Sequence, residues 1–271
     1  MPASRHLCNA TSCIALLLFL SLGGCAANST TPSEEGQASV ESNTDPWEQM
    51  NRNLFEFNRS IDNATLKPIA KGYQKVIPSF IRTGVGNFYI NLRGPRNILN
   101  NFLQAKGKRG FSETGRFLIN STVGILGLFD VATAMGLEKY REDFGQTLAV
   151  WGVPDGPYVM VPFAGPQTLR DALVYPVDIL VDPLWYYEND RVRYAVLYPL
   201  RFIEYRARFL SSEGLLEESF DPYVRLREAY LQNRRYQVYD GNPPVDEDFY
   251  DDPYGDLPEP EPAPEEEQEQ Q

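Results

Sequence analysis

The sequence predicts an all-α protein, a single multi-helix domain interrupted once by a short glycine- and proline-rich connector of hairpin-like character. Three observations carry this reading. First, the pairs Asp45-Pro46 and Asp221-Pro222 are helix starts, with Asp at the cap and a proline whose fixed φ suits the first turn. Second, Trp47, Met50, Leu54, Phe57 and Ile61 follow at spacings of three and four, one apolar face over four turns. Third, between Asp143 and Asp171, Gly145, Gly152, Gly156 and Gly165 alternate with Pro154, Pro157, Pro162 and Pro166, so no long helix runs through that stretch. Its apolar runs, Thr147–Trp151 and Tyr158–Val161, read as extended segments of a half-buried connector between two helical halves.

Taken in order, the chain opens with a targeting segment. Arg5 and His6 precede an apolar run, Cys13–Leu22, too short to span a bilayer. It ends in Leu22-Gly23-Gly24-Cys25, which resembles the bacterial lipobox and implies cleavage after Gly24 with lipid attachment to Cys25. Residue 26 is Ala rather than Asp, which favours the outer membrane. Residues 25–44 are small and polar and read as a flexible tether. Helices are then expected at 67–76, 78–91 and 95–105, in a region rich in asparagine (Asn87, Asn91, Asn97, Asn100, Asn101). Such amides satisfy backbone groups where helices break.

A charged break at Lys106–Arg109 precedes a helix from Ser112 toward Asn120. Phe117–Leu137, the most apolar stretch beyond the leader, fits either a buried core hairpin or a segment lying in one membrane leaflet. The apolar face of the first helix is equally open, as a core face or a face dipped into a membrane interface. Leu173–Tyr187 is aromatic-rich, and its Asp178 and Asp182 read as capping or structural carboxylates rather than metal ligands. A helix bent near Pro199 is expected over 190–211 and a last one from Asp221 to about Tyr239. Residues 240–271 form an acidic, proline-rich tail expected to be disordered.

Composition excludes whole classes of function. The net charge of −12 belongs to the tail, which holds 13 of the 37 acidic residues and none of the 25 Lys and Arg. The near-neutral body has no basic stripe for nucleic acid. Cysteines stand only at 8, 13 and 25, and the single histidine is His6. Beyond the leader there is thus no disulfide pair, no Ser-His-Asp triad, no His-ligated metal and no free thiolate for catalysis. A Ser-Lys dyad or paired carboxylates survive the test, but no nucleotide, phosphate or hydrolase motif is present. No enzyme activity, cofactor or metal is expected.

The blocks DPWEQMNRNLFEFN, NFYINLRGPRNILNNFLQ, DFGQTLAVWGVPDGPYVMVPFAGPQTLRD and DPYVRLREAY, in that order over residues 45–239, resemble the MlaA/VacJ family of outer-membrane lipoproteins. The resemblance implies a ring-shaped helical domain embedded in the inner leaflet of the outer membrane, with an amphipathic channel. That channel would remove phospholipids mislocalised to the outer leaflet and pass them to a soluble periplasmic carrier of the MlaC type, maintaining lipid asymmetry. The implied partners are phospholipids, that carrier and a trimeric outer-membrane porin. On this reading Phe55, Phe57 and Asn58 border the channel or its gate, Pro157, Tyr158, Pro162 and Phe163 form a rim, and Arg201, Arg206 and Arg208 meet phosphate headgroups. The competing expectations are a structural porin-associated lipoprotein without transport activity, or a periplasmic lipid hydrolase.

Overall fold

Two asparagines on the first helix set the position of the connector. In the computed structural model, which describes residues 45–244, α1 spans Glu48–Ile61 and carries Asn51 and Asn58 seven residues apart, on one face. The connector forms a two-stranded antiparallel hairpin, β1 Tyr158–Val161 and β2 Gly165–Thr168. Asn51 donates to the Tyr158 carbonyl at 3.1 Å and accepts from the Met160 amide at 2.9 Å. Asn58 does the same one step on, donating to the Val161 carbonyl at 3.0 Å and accepting from the Phe163 amide at 2.8 Å. The outer edge of β1 thereby finds its partners in side-chain amides rather than a third strand.

This arrangement decides the orientation of α1 that the sequence left open. Trp47, Met50 and Phe57 of the apolar stripe are exposed, while Asn51 and Phe55 are buried. Asp45 does not act as the predicted side-chain cap. Its carboxylate is buried and instead accepts from Asn51 at 2.7 Å, from the Tyr223 hydroxyl and from Arg227. Asp221 does cap its helix, α12 (Pro222–Val238), by accepting from the Tyr223 and Val224 amides. The small apolar core, Phe55, Tyr158, Met160 and Tyr223, sits between α1, β1 and α12.

The chain continues from α1 through a π-helical turn, Asp62–Leu66, into α2 (Lys67–Val76), whose bounds match expectation. Arg206 holds that turn by donating to both oxygens of Asp62. Next come α3 (Ser79–Leu92), α4 (Gly94–Leu103) and α5 (Gly107–Thr122). The expected break at Lys106–Arg109 shrinks to the α4–α5 link, and α5 begins five residues earlier than predicted.

Phe117–Leu137 is not a buried hairpin. It runs from α5 through a turn, with Ile125 and Leu126 at φ +51° and +55°, into a single helical turn, α6 (Val131–Ala134). Val123, Ile125, Leu126, Phe129 and Met135 are all exposed. Thr147–Trp151 is likewise not extended. Asp143 caps α7 (Phe144–Val150) by accepting from the Gln146 amide, and this starts a helix where spacing suggested a strand.

Beyond the hairpin lie α8 (Leu169–Val181), a 3₁₀ turn at Pro183–Tyr186 and the short α9 (Asp190–Val192). A π turn at Arg193–Leu197 leads into α10 (Tyr198–Phe209), so the distortion expected at Pro199 falls just before it. α11 (Glu213–Glu217) precedes α12. The first residues assigned to the acidic tail are placed against the body. Asp240 accepts from Lys106 at 2.7 Å, and Arg235 donates to the Pro244 carbonyl. Cys25, the leader, the tether and residues 245–271 lie outside the described residues.

α12 is fastened by one buried guanidinium. Arg234 donates to Asp143 at 2.7 and 2.8 Å and lies 2.7 Å from Asp171, whose carboxylate also accepts from Tyr230. A Cβ on Gly145 would stand 2.2 Å from the Asp171 carboxylate and 2.3 Å from Arg234, so only glycine fits there. Burial pushes the Asp143 carboxyl up, but the Arg234 bonds outweigh it and hold it well below the usual carboxylate range. The stability this pair contributes is present above the ordinary carboxylate pKa and is lost only as pH falls through the lowered value. Arg234→Met, which strands two partly buried carboxylates, is expected to cost about 3–5 kcal/mol. Chemical unfolding of the detergent-solubilised chain measures it, and a cost below about 1 kcal/mol would contradict the clamp.

Candidate functional site: a polar interior beneath an apolar surface

Among the described residues the usual distribution of side chains is inverted. Eighteen polar or charged residues are buried against nine hydrophobic ones, while 38 large hydrophobic residues are exposed. Phe111 is 73% exposed, Leu173 70%, Leu126 66% and Phe163 72%. Each such side chain forgoes roughly 1.5–3 kcal/mol of burial if water surrounds it, so water is not the surroundings this surface is built for. No helix among the described residues is long and apolar enough to cross a membrane.

The interior is a hydrogen-bonded network. Gln104 donates to Glu142 and Thr147, Thr147 donates to Asn100 at 2.6 Å, and Lys106 reaches Glu142 at 3.1 Å. On α5, Glu113 accepts from the Tyr140 amide at 2.7 Å and from Asn97. Arg116 and Asn120 both donate to Asp130. Burial raises Asp130, yet bonds from Lys139, Thr133 and Asn120 hold it well below the usual range, so it stays ionised. Of the five asparagines singled out, Asn87 donates to the Leu128 carbonyl and Asn97 accepts from the Glu142 amide, as expected. Asn91 instead donates to the Ser121 hydroxyl, and Asn100 and Asn101 bond carbonyls of their own helix. Asn120, outside that group, accepts from the Ala132 amide at 2.9 Å.

Two cavities open on this interior. One, of about 350 Å³, lies between α2, α3 and α10 and is lined by residues including Tyr73, Arg82, Asn87, Glu204 and Arg208. That volume is at the low end of small-molecule sites. The other, about 30 Å³, holds about one water and is lined by Asn97, Glu113, Arg116 and Asp130 among others. Asn87 lines both.

The residues singled out from the sequence fall into three places. Phe55 and Tyr158 are buried in the apolar core, with Pro157 half-buried beside them. Phe57 and Phe163 meet edge to face at 5.6 Å at the exposed hairpin tip, beside Pro162 and above Asn58. Arg201 pairs with Asp182, Arg206 with Asp62 and Glu213, and Arg208 with Glu204. Of all these, Arg208 alone lines either of these two cavities. Asp182 also caps the 3₁₀ turn, and Asp178 accepts from the Phe144 amide, so both carboxylates have the structural roles expected of them. Among the described residues no group of His, Cys, Asp or Glu is placed to hold a metal.

Comparison with known proteins gives this arrangement a family. The model of the MlaA lipoprotein family matches residues 43–237. The chain belongs to the MlaA family. The intermembrane phospholipid transport system lipoprotein MlaA of Haemophilus influenzae is 33% identical over 232 residues, covering 84% of this chain and 90% of that one. The Escherichia coli protein of the same name is 35% identical over 225 residues, covering 79% and 83%. A structure solved in work on the "Structural basis for maintenance of bacterial outer membrane lipid asymmetry" superposes with a TM-score of 0.63 at 37% identity, covering 73% of this chain and 99% of that one. The all-α fold is that of the MlaA family, a family of transport lipoproteins.

Burial pushes the Asp178 carboxyl up to about 6, against the pull of Arg96 at 3.7 Å. Because this folded value lies above the unfolded one, the ionised group destabilises the fold as pH rises through 6. Asp178→Asn, which keeps an acceptor for the Phe144 amide, should therefore raise the melting temperature at pH 7.5. The gain should shrink as pH falls through 6 and vanish near 4, as thermal unfolding at a series of pH values would reveal.

Proposed function

We propose that the protein is an outer-membrane lipoprotein, anchored through Cys25, that sits in the inner leaflet, removes phospholipids mislocalised to the outer leaflet and passes them to a periplasmic carrier. The observation that carries this reading is the inverted surface. A large apolar exterior, with no membrane-crossing helix among the described residues, suits a body lying in one leaflet, and a polar interior suits the passage of headgroups. Lipid movement breaks no covalent bond, which accords with a chain without histidine or free thiol beyond its leader. The names of the relatives, phospholipid transport lipoproteins, point the same way. A trimeric porin is the expected neighbour in the membrane, and an MlaC-type protein the expected recipient.

Within this reading the hairpin tip is the gate. Phe57, Pro162 and Phe163 form its movable edge, Asn58 latches it to α1, and Phe55, Pro157 and Tyr158 hold its base. Arg208 faces headgroups from the larger cavity. Arg201 and Arg206, already bound to carboxylates, act as braces that keep α10 in place for that contact.

The test is the amount of phospholipid exposed on the cell surface with and without the gene. Accumulation on deletion, reversed by the wild-type chain and not by Cys25→Ser, is the expected result. An unchanged surface, with the protein still fractionating to the outer membrane, would replace transport with a structural role. Asn58→Ala should shift surface phospholipid at normal protein level, and an unchanged lipid distribution would remove the latch from the mechanism.

A further inference from the structure

We propose that the cavity between α2, α3 and α10 is a phosphodiester subsite, in which Arg82 grips the phosphate of a passing lipid while Glu204 positions the Arg208 guanidinium beside it. This rests on the reading of the chain as a phospholipid transporter and says where, and by what charge, the headgroup is recognised.

The lining carries two guanidiniums and one carboxylate, Arg82, Arg208 and Glu204. Its formal charge of +1 matches a single phosphodiester monoanion. Arg82 donates its Nε to the Ile77 carbonyl at 3.1 Å, which fixes the plane of the group. Among the described residues no partner is recorded for its two terminal nitrogens, so the face suited to bidentate phosphate binding is unused. The Arg201, Arg206 and Arg234 guanidiniums differ, because carboxylates already take them.

Arg208 is held by Glu204 at 2.5 Å, and Glu204 is itself buried. The α3 backbone makes room for this pair at Gly86, where a Cβ would stand 1.8 Å from the Arg208 Nη2 and 2.6 Å from the Glu204 Oε1. The Tyr73 hydroxyl, on the same lining, is enclosed and has no hydrogen-bond partner in the structure. A buried donor left unpaired costs free energy, and it meets a phosphate oxygen only when the Tyr73 side chain turns toward the cavity. The volume of about 350 Å³ takes a headgroup and leaves the acyl chains to the apolar surface.

The experiment titrates the full-length lipoprotein in detergent with dihexanoyl phosphatidylglycerol, with inorganic phosphate and with short-chain diacylglycerol, alongside thermal unfolding of each variant. The wild-type chain should bind the phospholipid more tightly than inorganic phosphate and bind the diacylglycerol weakly or not at all. Arg82→Gln should weaken phospholipid binding roughly tenfold or more, and Arg82→Lys should recover part of it. Wild-type affinity in Arg82→Gln would overturn the subsite and leave the transport reading standing. Equal affinity for inorganic phosphate and phospholipid would make this a free-anion site and overturn its assignment to lipid. Failure of the wild-type chain to bind any phospholipid, together with normal surface lipid on deletion, would remove both. If Arg82→Gln unfolds, Arg82→Lys decides: severalfold weakening supports the subsite, and none overturns it.

Discussion

Arg234 stands between the carboxylates of Asp143 and Asp171, and the placement of the connector follows from that one buried guanidinium. Asp143 starts α7, Asp171 lies in the first turn of α8, and Arg234 belongs to α12, so three elements distant in sequence meet at one charge. The hairpin between α7 and α8 is then trapped. Asn51 and Asn58 take its free edge from one side, and Tyr158 and Met160 enter the small core beneath α12. A clamp of this kind is costly in water, where desolvation offsets most of the Coulomb gain. Here it is one of many, because the interior as a whole is polar.

The environment explains why. Burying apolar groups drives folding only where water is the alternative, and apolar surroundings remove that drive from the outer surface. The chain is instead held inside by hydrogen bonds and ion pairs: Asn100–Thr147–Gln104–Glu142, Arg116–Asp130–Asn120, and Arg206 between Asp62 and Glu213. The same polarity gives a headgroup somewhere to go. On the proposed placement in a leaflet, stability and transport draw on one arrangement, with a polar interior for headgroups and an apolar exterior facing acyl chains.

The helices were legible where local rules decide them. α2 falls at the predicted 67–76 with Pro78 just past its end, and Asp221 caps α12. The apolar stripe on α1 showed the helix but left open which way it faced, and the two asparagines flanking the stripe answer the question only once β1 lies against them. Thr147–Trp151 misled because an Asp143 cap, not β-propensity, settles its conformation. The site was least legible of all. Tyr73, Arg82 and Glu204 come from three helices and converge through tertiary packing, and in the sequence Arg82 is one arginine among many. Its unused nitrogens are visible only when its neighbours' bonds are known. The glycine at 86 was the one local trace, and its meaning needed the Arg208 it makes room for.

The central claim, that acyl chains surround the apolar exterior, is tested most directly by nitroxide labels. Cysteines introduced at Leu126 and Leu173 would be read in lipid nanodiscs against one at the exposed Glu228 of α12. Beyond the leader the chain has only Cys25, the proposed site of lipid attachment, and a Cys25→Ser background leaves each new thiol to be labelled alone. The account predicts high oxygen and low nickel-chelate accessibility at 126 and 173, with the opposite at 228. Equal nickel accessibility at all three positions would place the apolar face in water and contradict it.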